Sequence, residues 1–100
     1  MEGTAERLIK FDTVTKALRN TYERKNKDYG NSFEESLDEF GLTAFAVRAD
    51  DKMRRIKQLV NNEPHVKDEA IEDTIHDLAN YSIMAAMWLE GRKCRQQQND

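Results

Sequence analysis

Two rows of charged residues between positions 48 and 77 have the types and the spacing that suit phosphate chemistry. The first row consists of Arg48, Lys52 and Arg55. These residues are four and three positions apart, so an α-helix places their side chains on one strip. Guanidinium and ammonium groups on one strip are suited to phosphate oxygens, and Asp51 beside them would orient the cations or hold a metal. The alternative interpretation is a helix flank held by salt bridges.

The second row consists of three carboxylates, Glu69, Asp73 and Asp77, at successive i, i+4 positions. Like charges at this spacing repel by roughly 0.2–0.5 kcal/mol per pair in an isolated helix. The row therefore favours a nearby cation, which is either the basic strip or a divalent metal. Mg²⁺ prefers oxygen ligands and is usually shared between carboxylates and substrate phosphates. Together the two rows are typical of a site for a metal-bound polyphosphate.

A polar bend precedes both rows, in the stretch "KNKDYGNSF" at residues 25–33. A plain turn needs only the glycine and the asparagine, yet this one also carries Lys25, Asp28 and Tyr29. Gly30 is expected to take a positive φ there. The extra polar groups favour a binding surface. The competing interpretation makes Tyr29 a core aromatic whose hydroxyl is in water.

Helices are predicted to position these residues, because apolar side chains recur with a period of 3.6 while glycine and proline are rare. Ser32 to Glu35 has the pattern of a capping box, Gly41 is a stop signal, and Pro64 marks a break. The predicted helices span residues 4–27, 32–40, 42–61 and 66–91, with a turn at 28–31. The fold class is therefore all-α and four-helix bundle-like, with a long helix 1, a short helix 2, and long helices 3 and 4. Residues 1–91 form a single helical domain, and residues 92–100 form a polar C-terminal tail.

Each predicted helix has an apolar face that we expect to be buried. These faces are Leu8, Phe11, Thr15, Leu18, Tyr22 and Tyr29; then Phe33, Leu37 and Phe40; then Leu42, Phe45, Ala46, Ala49, Met53, Ile56 and Val60; and finally Ile71, Ile75, Leu78, Ser82, Ala85 and Leu89. The second half of helix 4 is apolar nearly all round, so its other side needs more core or a partner subunit. We therefore expect a homo-oligomer, a dimer or larger.

Composition narrows the classes of function. One hundred residues form one domain, and the net charge of −3, with basic and acidic residues interleaved, argues against general nucleic-acid binding. The lone Cys94 cannot form a disulfide within the chain, which suits a reducing compartment. No apolar run approaches the length of a membrane span. We expect a cytoplasmic protein that does not bind membranes.

Three segments resemble a known family: "YERKNKDYGNSF" at 22–33, "VRADDKMRRIKQL" at 47–59 and "EDTIHDLANYSIMA" at 72–85. They are similar to the nucleotide-modification-associated domain common in phage genomes. That domain is related to the all-α nucleoside triphosphate pyrophosphatases, the MazG-like and dimeric dUTPase-like group. The resemblance implies a phage-encoded oligomer that acts in the bacterial cytoplasm. It also implies Mg²⁺ held by acids of two helices, and a metal-activated water that releases a nucleoside monophosphate and pyrophosphate.

The resemblance assigns roles to individual residues. The implied catalytic residues are Asp77, Asp73 and Glu39, and the implied metal ligands are Glu35, Glu39, Glu69, Asp73 and Asp77. The implied substrate-binding residues are Lys25, Asp28, Tyr29, Arg48, Asp51, Lys52, Arg55, Asn80 and Tyr81. Lys25 would lie near phosphate and Tyr29 near a base or sugar.

The acidic motifs depart from the family pattern at two places. Glu35 and Glu39 are one residue wider apart than the family's first motif, and Thr74 stands where its second motif has Glu. Two hypotheses therefore stay open. One is a Mg²⁺-dependent nucleoside triphosphate pyrophosphohydrolase. The other is a non-catalytic oligomer that sequesters a modified or signalling nucleotide, for example to counter host immunity. A third interpretation is a helical accessory subunit whose charges form only salt bridges.

Overall fold

The computed structural model describes residues 3–27, 29–61 and 64–99 of the chain. All regular structure in these ranges is helical, which confirms the all-α prediction and the order of one short helix among three long ones. The helices are α1 at Thr4–Lys25, α2 at Gly30–Phe40, α3 at Leu42–Val60 and α4 at Pro64–Asn99. None of the helices in this part of the chain combines the length and the apolar character needed to cross a membrane.

The junction between α1 and α2 differs from the prediction. Gly30 does not take a positive φ; it is the buried first residue of α2, and the predicted capping box is wrong because Ser32 lies inside the helix. The hydroxyl of Ser36 donates to the Ser32 carbonyl instead. A Cβ at Gly30 would lie 2.9 Å from the Tyr22 ring and would overlap the side-chain oxygen of Asn26. Close packing against α1, rather than a capping side chain, therefore sets the start of α2.

The end of α2 agrees with the prediction. Gly41 has a φ of 67°, and its N–H donates to the Leu37 carbonyl. Glycine adopts a positive φ without the steric penalty that a Cβ would bring, so the chain can leave the helix at this residue. Phe33 and Leu37 are buried as predicted, whereas Phe40 is 62% exposed and does not belong to the core.

The core lies where α2 meets α4. Phe33, Leu37 and Met84 form its buried cluster, and further partly buried residues pack against it. The indole N–H of Trp88 donates to the Asp38 carboxylate at 2.9 Å, which ties the two helices together beyond this cluster. The helix α3 packs more extensively on α4 than any other element does.

Several predicted faces are exposed. In α1 the stripe is buried only at Leu18, while Leu8 and Phe11 are more than half exposed. In α3 no residue is fully buried, and Leu42, Met53 and Val60 are exposed. A single chain therefore covers only part of the apolar surface that the sequence pattern provides.

The longest helix, α4, also departs from the prediction. It continues to Asn99 rather than ending near Gly91. The face that we expected to be buried is wrong at Ile75, Ser82 and Leu89, which are exposed. The buried residues in the described part of α4 are Thr74, Asn80, Met84 and Ala85.

Candidate functional site

The basic strip of α3 lies against α4, and the two helices run antiparallel. We call this surface the polar face; it consists of Arg48, Lys52 and Arg55 on α3 with Thr74, Asp77 and Tyr81 on α4. The pairing has a constant register, since Arg48 is near Tyr81, Lys52 is near Asp77 and Arg55 is near Thr74. Helical spacing alone placed the cations on one strip. The antiparallel packing supplies each one with a partner.

The contacts across the polar face are loose. Lys52 Nζ is 3.5 Å from Asp77 Oδ2, with 26% and 32% of the two side chains exposed. The Nε–H of Arg55 donates to Thr74 Oγ1 at 3.3 Å, which is long for a hydrogen bond of this kind. The Thr74 hydroxyl itself donates to the Ala70 carbonyl at 2.7 Å. Contacts of this length leave room for the cations to turn toward another anion.

Within the described part of the chain, two of the three cations on the polar face have no acidic partner. Among the described residues, neither Arg48 nor Arg55 forms an ion pair, although both are exposed. The salt bridge that α3 does form within itself joins Arg54 and Asp50 at 2.8 Å on its outward side. Asp51 is exposed and takes no part in the pairing across the polar face. The strip therefore carries more positive charge than α4 neutralises.

Aromatic rings close one side of the polar face. The rings of Tyr29 and Tyr81 meet edge to face with centroids 5.1 Å apart, and Phe33 meets Tyr81 in the same way at 4.8 Å. Lys52 Nζ lies 6.0 Å from the centroid of Tyr81, and Lys25 Nζ lies 5.9 Å from that of Tyr29. Cations at this range are attracted by the π-electrons of the rings. The bend residue Tyr29 is thus part of the same surface as α3 and α4.

The tyrosines of this surface stay protonated in neutral solution. Burial raises the pKa of Tyr29 well above its ordinary value; the Asp77 carboxylate and Tyr81 act in the same direction, and a hydrogen bond with Asn80 acts against them. Burial also raises the pKa of Tyr81, with the Arg48 charge opposing and the Asp77 charge adding. The Tyr29 hydroxyl is therefore a donor, and it donates to the Asp77 carbonyl at 3.3 Å.

Asn80 has a positioning contact. Its side chain is 3% exposed, and its Nδ2–H donates to the Leu18 carbonyl of α1 at 3.2 Å. Because its donor is used inside the fold, Asn80 holds α1 against the back of α4 rather than presenting that group to solvent. The predicted site residue Asp28 lies outside the described residues.

The remaining predicted acids lie apart from this arrangement. Glu35 and Glu39 are exposed on α2, and Glu69 and Asp73 are exposed on α4. Within the described ranges, no group of three or more His, Cys, Asp or Glu side chains is close enough together to hold a metal ion. Asp77 has Lys52 as its counter-ion. Among the described residues, these four acids therefore lie outside the polar face, and Asp77 is the carboxylate that belongs to it.

Thr74 and Phe33 belong to the surface but were not predicted as site residues. Thr74 is 3% exposed and faces the basic strip, and Phe33 supports Tyr81. The sequence contained a signal for Thr74, because this residue precedes Asp77 by three positions and therefore lies on the same helix face. Nothing in the local sequence pointed to the packing of Phe33 on Tyr81, which depends on the approach of α2.

Comparison with known families supports a relation to nucleotides. Residues 25–89 match the family model described as nucleotide modification associated domain 1. The matched range contains every residue of the polar face together with Lys25, Tyr29 and Phe33. Neither the curated proteins nor the solved structures contained a match.

Proposed function

Because the chain belongs to the nucleotide modification associated domain 1 family, we propose that it binds a nucleotide with the phosphates on the polar face. The observation that carries this proposal is that Arg48 and Arg55, which flank Lys52 on one strip, form no ion pair with any described residue. An arginine fork binds phosphate oxygens in pairs, and a lysine ammonium adds a point charge between two such forks.

The dimensions of the strip suit more than one phosphate. Arg48 and Arg55 are seven residues apart, which is about 10 Å along a helix axis. A nucleotide with consecutive phosphates extends along such a strip and engages its cations in turn. An incoming phosphate also competes with Asp77 for Lys52, whose exposed fraction of 26% leaves the ammonium accessible. Because the contacts across the polar face are long, little free energy is lost when Lys52 exchanges Asp77 for a phosphate.

The neighbouring aromatic surface suits the other half of a nucleotide. Stacking of a base on an aromatic side chain contributes about 1–3 kcal/mol and is tolerant of base identity. Tyr29 and Tyr81 present ring surface and neutral hydroxyl groups next to the cations. Lys25 adds a further charge beside Tyr29. Asn80 supports this surface from behind by holding α1 in place.

Hydrolysis is the second candidate function, and the observation that favours it is the position of Asp77 among the phosphate-binding cations. In this proposal the chain is a nucleoside triphosphate pyrophosphohydrolase in which Asp77, Asp73 and Glu39 act on a nucleotide that brings its own Mg²⁺. Mg²⁺ bound in this way would lower the pKa of a water and offset charge on the phosphoryl oxygens.

Capture without turnover uses the same polar face and needs no acid. A phage-encoded oligomer in the bacterial cytoplasm would then sequester a modified or signalling nucleotide and return it intact on denaturation. The family supports a role connected with nucleotides, and both candidates share the binding step. They differ only in what is recovered afterwards.

Binding is tested with a matched pair of arginine variants on α3. Arg48→Met removes a cation of the polar face, whereas Arg54→Met removes one that pairs with Asp50 on the outward side. Hydrogen bonds to charged groups contribute about 1.5–3 kcal/mol, so Arg48→Met is expected to raise the Kd of a bound nucleotide roughly 10- to 100-fold. Arg54→Met should change it less than about twofold, since it lies outside the site. Equal effects of the two variants would refute the proposed phosphate site.

The fate of the nucleotide is tested in parallel. The purified chain is incubated with Mg²⁺ and a panel of nucleoside triphosphates, mono- and dinucleotides, and both pyrophosphate release and thermal stabilisation are measured. Release that is lost in Asp77→Asn supports hydrolysis. Stabilisation with intact nucleotide recovered after denaturation supports capture. If no nucleotide gives either effect, the proposed function as a whole is refuted.

A further inference from the structure

The helix α4 carries a second apolar seam that its own chain leaves uncovered. We call it the outer seam; it consists of Ile75, Ala79, Ser82, Ala86 and Leu89. These positions are four, three, four and three residues apart, which is the spacing of a helix seam that packs lengthwise against another helix. Four of the five are exposed and Ala79 is partly buried, with Ile75 at 48% and Leu89 at 39%.

The chain's own helices occupy other sides of α4. The helix α3 covers the seam that runs from Thr74 through Tyr81, and α2 covers its continuation at Met84 and Trp88. At 3.6 residues per turn, the outer seam lies on the far side of α4 from these positions. The helix α1 touches α4 at a third place, through Asn80. Ile83 flanks the outer seam and is also exposed, at 44%.

We propose that the outer seam packs against the outer seam of a second copy of the chain, antiparallel and about a twofold axis near Ser82. The seam is symmetric about this residue, with a small side chain on each side of it and a large one at each end. In an antiparallel pair, Ile75 lies opposite Leu89 of the second copy, and Ala79 lies opposite Ala86. A surface that repeats itself under a twofold rotation is what a closed dimer requires. The small central residues let the two helix backbones approach closely.

Charge selects the second copy and the antiparallel direction. Between Glu69 and Asp77, α4 carries four acids and no Lys or Arg; from Arg92 to Arg95 it carries three basic residues and no acid. A parallel pair would place like charges side by side. An antiparallel pair places the acidic segment of each copy beside the basic segment of the other, with Glu72 across from Lys93. Within its own helix Lys93 has only a long, exposed contact with Glu90, at 3.8 Å, which leaves it able to reach Glu72 of the second copy. Complementary charge at the ends of an apolar seam fixes direction and register.

The shape of the single chain supports this pairing. Its radius of gyration is 16.2 Å, with extents of 52 × 34 × 23 Å, against about 13 Å for a compact domain of this length. The outer seam runs over fourteen residues, or about 21 Å of helix. Side-by-side packing of two such elongated chains covers apolar surface that a single chain leaves in water. This inference does not depend on the nucleotide site, whose residues lie on the opposite side of α4.

Sedimentation equilibrium of the full chain provides the test, over about a hundredfold range of chain concentration. The expected species has twice the 11.7 kDa mass of the chain. Ala86→Glu places a carboxylate in the centre of the seam twice per dimer, and it is expected to weaken dimerisation by more than about tenfold. The matched control is Ala46→Glu, which changes an exposed alanine of α3 and should leave the dimer unchanged.

A charge-exchange cycle keeps the test independent of any single substitution. Glu72→Lys and Lys93→Glu should each weaken the dimer several-fold, and the double variant should recover most of the loss because the pair is restored with reversed sign. A wild-type chain that stays monomeric throughout would overturn the proposal, and so would equal effects of the two alanine variants or failure of the double variant to recover. Nucleotide titration of the monomeric Ala86→Glu chain separates the outcomes, since loss of the dimer alone leaves the proposed phosphate site intact.

Discussion

A single methyl group at Gly30 should show that close packing fixes the junction between α1 and α2. Gly30 is buried, and an added Cβ would lie 2.9 Å from Tyr22 Cε2 and 3.3 Å from the Tyr22 hydroxyl oxygen. It would also overlap Asn26 Oδ1. Carbon atoms in good contact are about 3.5–4.0 Å apart, so Tyr22 must move by roughly half an ångström or more in the Gly30→Ala variant.

The cost of this movement is modest because Tyr22 has somewhere to go. Overpacking in a well-filled core costs about 1–3 kcal/mol. Tyr22 borders a cavity of about 150 Å³ between α1, α2 and α4, which allows its ring to yield. We therefore expect a net loss at the lower end of that range, about 1 kcal/mol, because the better helix propensity of alanine offsets part of the packing cost. For a domain of this length, a loss of 1 kcal/mol lowers Tm by roughly 4–8 °C.

Gly91→Ala is the matched control, because it makes the same substitution in a helix where a Cβ meets nothing within 4 Å. Only the backbone preference changes there, and alanine is favoured over glycine in a helix interior by about 0.8–1.0 kcal/mol. Thermal and urea unfolding followed by circular dichroism should show Gly30→Ala destabilised and Gly91→Ala stabilised. Shifts of the same sign in both variants would refute the packing explanation.

Two further substitutions probe the contacts behind the polar face. The raised pKa of Tyr29 means that the unfolded chain releases this proton first, so the stabilisation is complete below about pH 10 and is lost as the pH rises further. In urea unfolding, Tyr29→Phe should reduce the loss of stability at alkaline pH. At neutral pH it should cost about 0.5–1.5 kcal/mol, because the hydrogen bond to the Asp77 carbonyl is lost. An unchanged alkaline profile would contradict the assignment of this loss to the Tyr29 hydroxyl. Asn80→Asp turns a carboxylate oxygen toward the Leu18 carbonyl in a buried position and should destabilise the fold by about 2–4 kcal/mol at neutral pH. The loss should shrink in acid, where the new carboxyl group binds a proton, and a loss independent of pH would show that its charge is not the cause.

Helix geometry alone was sufficient to predict the basic strip. Arg48, Lys52 and Arg55 share a side of α3 whatever surrounds the helix, and the end of α2 at Gly41 follows from a local glycine signal. The start of α2 could not be predicted in this way. Ser32 has the sequence pattern of a cap, but the contact of Gly30 with α1 depends on residues distant in the chain and places the helix start earlier.

The row of carboxylates shows why the rest of the site was harder to predict. Each i, i+4 step rotates about 40° around a helix of 3.6 residues per turn, so a row of such steps drifts across the surface. Asp77 reaches the polar face, where Lys52 meets it, whereas Glu69 and Asp73 lie exposed. The side of α4 that α3 covers contains Thr74, Asp77 and Tyr81, which are three and four residues apart. Several sets of residues in α4 have this spacing. Which set lies under α3 depends on the packing of the two helices and cannot be derived from α4 by itself.

The same difficulty explains why Ile75, Ser82 and Leu89 of the outer seam were predicted to be core. Apolar periodicity identifies faces that need covering, but it does not say whether the same chain or another one covers them. Thr74 can be buried because it accepts a hydrogen bond from Arg55, and Asn80 can be buried because it donates one to the Leu18 carbonyl. A buried polar group needs such a partner at a fixed distance, and the fold of the same chain provides it. An apolar contact has no such directional requirement. The sides of α4 that hold Thr74 and Asn80 therefore have to be covered by helices of the same chain. The outer seam with Ile75 and Leu89 can be covered by a second copy of the chain.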